Sequence, residues 1–590
     1  MVGCLALVLA MVGAACSSGD DDDAVTTKAA ATTAATSTDG SDTTVGGATT
    51  APAATTAAPT TEPVVSDAEP VYGGNLRVGI EADTSNAFNP MKMQCAVSCY
   101  NTLHGTIFES LMSADESGPI PNLAESMTPN EDYTVWTIKV RPGITFSDGT
   151  PLNADVVIDN INRYALPGSL TAAAFTNLAR GSDGRLVMEK LDDLTATLAT
   201  VTPWVDMPYY FTLQTGMMAS PAWLDAAAAD PNLDTKPVGT GPFVVDSYTP
   251  GSSTVLVRRD GYWRTDAEGR ELPYLDSIEF RVIADRQSRK SALLTGEIDL
   301  TNIDQGAIIL DLADEPGIQM VEQDNFTETG FWMFNIGVEG SILADRRLRC
   351  ALSHGFDTET VNVALSEGFE SLISTGPFPP GAPGHLDESP YPAYDPDTAR
   401  ALVDEWKADN GGVTPKIIVT TTPDSTNEAL VEFGQQFWQD IGFDVEVKLS
   451  EQGKLITDAV TGSDDFSVFT WRQYAYVTPD NYYLWWHSSS AAPKGSISIN
   501  FMRMRDEVID AALDANRGEA DPAKKAELAE TMNRRLAEEC YMMPINYTPW
   551  RVVATERVRN FLGEASLPDG RTPLSNGGGF DPAGAWIAEG

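Results

Sequence analysis

The stretch Trp136–Tyr164, WTIKVRPGITFSDGTPLNADVVIDNINRY, constrains the fold more than any other part of the chain. Trp136, Ile138 and Val140 alternate with Thr137, Lys139 and Arg141, which predicts a strand with one buried face. Pro142-Gly143 breaks it, because Pro presets a turn and Gly permits positive φ. Ile144 and Phe146 resume the alternation and predict a second short strand, and Ser147-Asp148-Gly149-Thr150-Pro151 predicts a second turn. Asn153 then has the chemistry of a helix N-cap, and Asp155 suits the positive end of the helix. Val157, Ile158, Ile161 and Tyr164 follow at helical spacing. The expected unit is two short strands and an amphipathic helix.

Taken with PNLAES at Pro121–Ser126, this wording closely resembles the family 5 extracellular solute-binding proteins, the peptide and nickel receptors of ABC importers. Further blocks resemble the family in the same order: Pro237–Phe243, Arg259–Trp263, Leu272–Asp276, Gly296–Asp299 and Phe331–Asn335. The likeness runs from about Tyr72 to the C-terminus. It implies an α/β fold with two lobes, a type II periplasmic-binding-protein-like architecture of the cluster C kind with an extra small domain. The expected layout is a first lobe over 71–112 and 236–330, the small domain over 113–235, a second lobe over 331–549 and a return to the first over 550–590. Strands are predicted at 278–283, 416–420 and 443–449. Helices are predicted over Tyr100–Leu111, after Asp345, over Ala526–Leu536, and along Leu430, Phe433, Phe437 and Ile441, where Gly442 stops the last of these.

Ahead of the folded region, Met1–Ala15 is apolar, too short to span a membrane and suited to a signal peptide. Gly13-Ala14-Ala15-Cys16 resembles a lipobox, which would make Cys16 a lipid-bearing N-terminus. An ordinary secretory signal is the alternative. Residues 16–70 are rich in Ala, Thr and Pro with an acidic run at Asp20–Asp23, the composition of a disordered tether. The expected location is the extracytoplasmic face of the cell membrane. Cys95, Cys99, Cys350 and Cys540 remain, an even set in an exported chain, with three possible pairings. The expected pairing is Cys95–Cys99 with Cys350–Cys540, the close pair being far in sequence from the other two.

A net charge of −45 argues against a nucleic-acid partner, since phosphates would be repelled. There is no H-E-x-x-H among the four histidines, His104, His354, His385 and His487, and no G-x-S-x-G elbow. Gly239-Thr240-Gly241 lacks the third glycine and the Lys-Ser of a phosphate loop. Neither a metal nor another cofactor is called for, and a monomer is expected.

The densest aromatic segment is Phe469–His487, FTWRQYAYVTPDNYYLWWH. Core packing and ligand stacking are both open to Tyr482, Tyr483, Trp485 and Trp486. Thr470-Trp471 resembles the family strand along the ligand, where an Asp after the Trp pairs with a peptide α-amino group. This chain has Arg472, Gln473 and Tyr474 instead, with no carboxylate before Asp480. Tyr474 does not neutralise an ammonium. Arg472 has the chemistry to hold a ligand carboxylate, or to form an ordinary surface ion pair. The resemblance also places Gln94 at the cleft mouth and Phe331, Trp332 and Asn335 at the crossover strand. The expected ligand contacts are Trp471, Arg472, Gln473, Tyr474, Gln94, Phe331, Trp332, Asn335 and Trp485. The implied function is an ABC-importer receptor for oligopeptides, working with membrane permease subunits. The alternatives are a receptor for oligosaccharide or another polar solute, a surface sensor that takes no part in transport and, from another class, a secreted hydrolase.

Overall fold

The computed structural model describes residues 69–94, 103–115, 117–322, 328–366, 369, 373–474, 478–564, 566–574 and 578–588. Cys16, Cys95 and Cys99, with the expected signal and nearly all of the tether, lie outside the described residues.

The chain opens with β1 (Asn75–Ile80), whose Leu76, Val78 and Ile80 are buried. The small domain follows as a four-stranded antiparallel sheet, β2 (Ala124–Pro129), β3 (Val135–Val140), β4 (Met188–Lys190) and β5 (Thr195–Ala199), in the order β2-β3-β5-β4. In β3 the predicted alternation holds, with Trp136, Ile138 and Val140 buried. Asn153 caps α1 (Ala154–Tyr164) by accepting the Val156 N–H. The expected strand at Ile144–Phe146 is instead a loop held by one bridge, Thr145 to Pro151. Both apolar residues are still buried, so their alternation reports a packed loop. The expected helix over Tyr100–Leu111 is helical in its described part over 103–107 and ends before Phe108.

The small domain ends earlier than expected. Helix α2 (Pro221–Ala229) packs Trp223, Leu224 and Ala227 into the core of the first lobe, so 221–235 belongs there. The first lobe continues with β6 (Phe243–Thr249), β7 (Ser253–Arg258), β8 (Ser277–Val282), α3 (Arg286–Leu294), β9 (Leu300–Ile303) and β10 (Ile318–Glu322). With β1 and a late strand, β16, at Arg551–Thr555, these form a mixed sheet ordered β10-β16-β9-β1-β8-β7-β6. Val552 and Ala554 point to one core and Val553 to another, so the sheet is covered on both faces. Gly239 and Gly241 have a steric role: a Cβ on Gly239 would lie 2.1 Å from the Ile107 carbonyl oxygen.

The chain crosses to the second lobe between β10 and β11 (Glu328–Phe334), so the boundary expected at 331 falls inside a strand. The second lobe adds α4 (Arg346–His354, capped by Asp345), β12 (Lys416–Thr421), α5 (Ser425–Asp440), β13 (Asp444–Leu449), β14 (Val468–Tyr474), α6 (Glu507–Gly518), α7 (Pro522–Glu538) and β15 (Met542–Tyr547). Its sheet runs β13-β12-β14-β11-β15. Helix α5 buries Val431 and Trp438 more deeply than Phe433 and Phe437. The reason is Trp438, which donates to the Leu352 carbonyl and packs edge-on against Trp332 at 4.9 Å. A disulfide joins Cys350 on α4 to Cys540 just after α7. The chain returns to the first lobe between β15 and β16.

Candidate functional site

A cavity of about 660 Å³ lies between the lobes and is walled by both. Its central wall is the end of β14. Strand β12 pairs with β14 only at Val468 and Phe469, whereas β11 pairs with it through Tyr474. Beyond Phe469 one edge of β14 therefore has no partner strand among the described residues, and Thr470–Tyr474 line the cavity.

Trp471 is half-buried in this wall. Its indole packs on Phe501 at 5.2 Å and Trp485 at 6.1 Å, and its Nε1 has no hydrogen-bond partner among the described residues. Trp485 also lines the cavity and packs on Phe501 at 5.0 Å. Gln473 and Gln94 line it with side-chain carbonyl oxygens that have no partner among the described residues. Phe331 and Tyr474 are buried side chains of the same wall.

Two expectations are corrected by the geometry, and a third residue is found already paired. Trp332 is fully buried away from the cavity, because it packs into the lobe core against Trp438 and Phe356. Asn335 is buried too, its amide donating to the Ser463 and Phe466 carbonyls. Arg472 also lines the cavity, with its guanidinium already engaged by the protein's own carboxylates. It lies 3.0 Å from Glu81 and 3.5 Å from Glu328, is hydrogen-bonded to Asp304, and sits over the Trp550 ring at 5.0 Å. A ligand carboxylate would have to displace one of the protein's own. Of the other aromatics, Tyr482, Tyr483 and Trp486 are buried. Asp480, the next acid along the chain, is fully buried between Trp204 and Arg517, outside the cavity.

The carboxylates that do line the cavity carried no sequence signal. Asp304 is hydrogen-bonded by Arg286 at 2.6 and 2.7 Å, and Arg286 also reaches Asp424 at the head of α5 at 2.7 Å. Burial alone would raise Asp304, but Arg286 and Arg472 hold it well below the usual carboxylate range. Glu328 is different. Burial pushes it up to about 7 against the pull of Arg472, and Glu81 adds to the rise. Its Oε2 accepts the Trp550 indole N–H at 3.0 Å. Glu328 stands directly across from Tyr474 in the β11–β14 ladder, so the two side chains share one face. The carboxylate absent from β14 is thus present on the neighbouring strand.

A family model described as bacterial extracellular solute-binding proteins, family 5 middle, matches residues 118–494. The chain belongs to this family. Among curated relatives, the glutathione-binding protein GsiB of Escherichia coli K12 is 26% identical over 355 residues, which is 59% of this chain and 65% of that protein. The match thus spans just under two thirds of the relative's length. The periplasmic binding protein AgaA of A. tumefaciens R10, solved with agropinic acid, superposes with a TM-score of 0.75 at 20% identity, covering 88% of this chain and 99% of that one. DppA of Helicobacter pylori, solved with the peptide STSA, gives 0.74 at 21% identity with the same coverage. These likenesses show the two-lobed binding-protein fold.

Proposed function

We propose that the chain is an extracytoplasmic receptor of an ABC importer that encloses a short peptide between its lobes and passes it to membrane permease subunits. The observation that carries this is the open edge of β14 at Thr470–Tyr474, facing a cavity walled by both lobes and flanked by Trp471 and Trp485. An extended peptide can add to such an edge through main-chain hydrogen bonds while its side chains occupy the surrounding space. The cavity volume falls in the range that encloses a small ligand. Charge supports the peptide. Glu328, pushed up to about 7 by burial, is the cavity carboxyl whose ionised form a ligand ammonium beside it would favour.

A neutral polar solute such as an oligosaccharide is the second reading. It is favoured by the unpartnered carbonyl oxygens of Gln94 and Gln473, which accept from hydroxyls as readily as from amides. Mass spectrometry of the full chain, purified without added solute and then denatured, separates the readings. Released short peptides support the first, and a released sugar or other non-peptide compound replaces it with the second. Turnover of a candidate substrate would instead make the chain a hydrolase. Cys16→Ser tests the anchor: the protein is expected to leave the membrane fraction, and unchanged retention refutes lipidation at Cys16.

A further inference from the structure

The small domain is joined to the second lobe through a set of buried polar contacts that none of the cavity residues shares. The segment after β5 carries Trp204, Asp206 and Tyr210. Trp204 Nε1 donates to Asp480 Oδ2 at 2.6 Å, and the Tyr210 hydroxyl donates to the Asp480 carbonyl oxygen at 2.9 Å. Asp206 accepts from Lys525 on α7 at 2.6 Å and from the Thr478 hydroxyl. The Val205 N–H donates to the Arg517 carbonyl at 2.9 Å. On the second-lobe side, Arg517 at the end of α6 pairs with Asp480 at 2.8 Å. It also donates to the Tyr210 hydroxyl at 3.1 Å and stacks over the Trp204 ring at 4.5 Å. Trp204, Tyr210, Asp480 and Arg517 are each at most 3% exposed.

The chain's connectivity gives this contact its meaning. The small domain branches from the first lobe and returns to it at α2, while Thr478, Asp480, Arg517 and Lys525 all belong to the second lobe. Among the described residues, the two lobes are covalently joined only at the β10–β11 and β15–β16 crossings. Hinge motion about those crossings, with the small domain moving with the first lobe, must therefore break or make every bond in the set except the Arg517–Asp480 pair, which stays within the second lobe.

We propose that Trp204, Asp206 and Tyr210 form a clasp that holds the closed state and sets how long a solute stays enclosed, although none of them lines the cavity. The effect on solute residence rests on the receptor function proposed above; the clasp itself does not. Tyr210 bridges two partners that would be left unpaired in a closed cleft without its hydroxyl, yet both would meet water in an open one. Removing it therefore penalises the closed state selectively.

The test is hydrogen–deuterium exchange of the full chain with no added solute, reading the peptide that contains Val205 and one from β3. The double variant Asp206→Asn/Tyr210→Phe leaves the Asp480–Arg517 pair intact within the second lobe. Its Val205 peptide is expected to exchange roughly tenfold to a hundredfold faster than wild type, from four weakened hydrogen bonds, while β3 is unchanged. Equal exchange at Val205 in variant and wild type, or no protection there in wild type, overturns the clasp. If β3 also loses protection, the variant has unfolded its small domain; Lys525→Met/Thr478→Val then breaks the two Asp206 contacts from the other lobe and must also speed exchange at Val205 with β3 unchanged. Because no solute is used, a failure here is separate from a failure of the receptor reading, which the released-solute experiment decides.

Discussion

Glu328→Gln offers a direct check of the hinge-side electrostatics. Glu328 is 3% exposed, and burial among Glu81 and Asp304 moves its carboxyl from 4.5 to about 7. The folded chain therefore holds this proton more tightly than the unfolded chain. Between pH ~4.5 and ~7 the unfolded state has released it and the folded state has not, so this group's contribution to stability falls as pH rises across that window. The full change is about 3 kcal/mol. Gln keeps the shape and an oxygen for the Trp550 N–H, but it cannot ionise. For a chain this long the unfolding entropy is about 1 kcal/mol per K, so melting temperatures of variant and wild type should nearly coincide at pH 4.5 and separate by about 3 °C at pH 8, with the variant higher. Differential scanning calorimetry at several pH values reads this difference, and other titrating groups cancel between the two proteins. A separation that does not change with pH, or a variant less stable at pH 8, would refute a burial-raised Glu328.

Two further substitutions probe the cavity wall and the second lobe. Trp471→Phe removes the unpartnered indole N–H while keeping an aromatic ring against Phe501; the released solute, retitrated by calorimetry, should bind about tenfold more weakly, with the melting temperature within about 1 °C of wild type. Trp471→Ala should by contrast cost about 3 kcal/mol, because the indole also packs against the lobe core. Cys350→Ala/Cys540→Ala opens a loop of 190 residues, for which chain entropy sets an upper limit of about 5 kcal/mol; chemical denaturation should show the loss, and a reducing agent should reproduce it in wild type alone.

What the sequence made legible was local. The alternation of Trp136, Ile138 and Val140, the Asn153 and Asp345 caps and the strand at 277–282 depend on neighbours a few residues away, and all are present. The expected strand at 144–146 failed because alternation reports burial, and a loop pinned by Thr145 and Pro151 buries Ile144 and Phe146 equally well. The site was harder. Phe331 and Trp332 read alike in a strand whose residues are all buried, and only tertiary packing separates them: Phe331 lies in the cavity wall, while Trp332 packs against Trp438 and Phe356. Glu328 and Asp304 gave no signal, since each is one acid among 84 and becomes distinctive only when the ladder sets it beside Tyr474 or Arg472. Asp480, the nearest following acid by sequence, belongs to the contact with the small domain.

The acidity of the chain bears on closure itself. A net charge of −45 disfavours bringing two acidic lobes together, and that repulsion acts largely through solvent. The ion pair that spans the clasp is of another kind: Lys525 with Asp206 has side chains 12% and 10% exposed. Salt shortens the reach of exposed charges to about 8–10 Å at 0.1–0.15 M but screens buried pairs far less. Added salt should therefore relieve the force that opens the cleft while leaving the force that shuts it nearly intact. Exchange at the Val205 peptide should slow between 20 mM and about 150 mM sodium chloride, with β3 unchanged as the control. Faster exchange at higher salt would mean that the attraction between the lobes is itself exposed and screenable, which is incompatible with a buried clasp as the main closing contact.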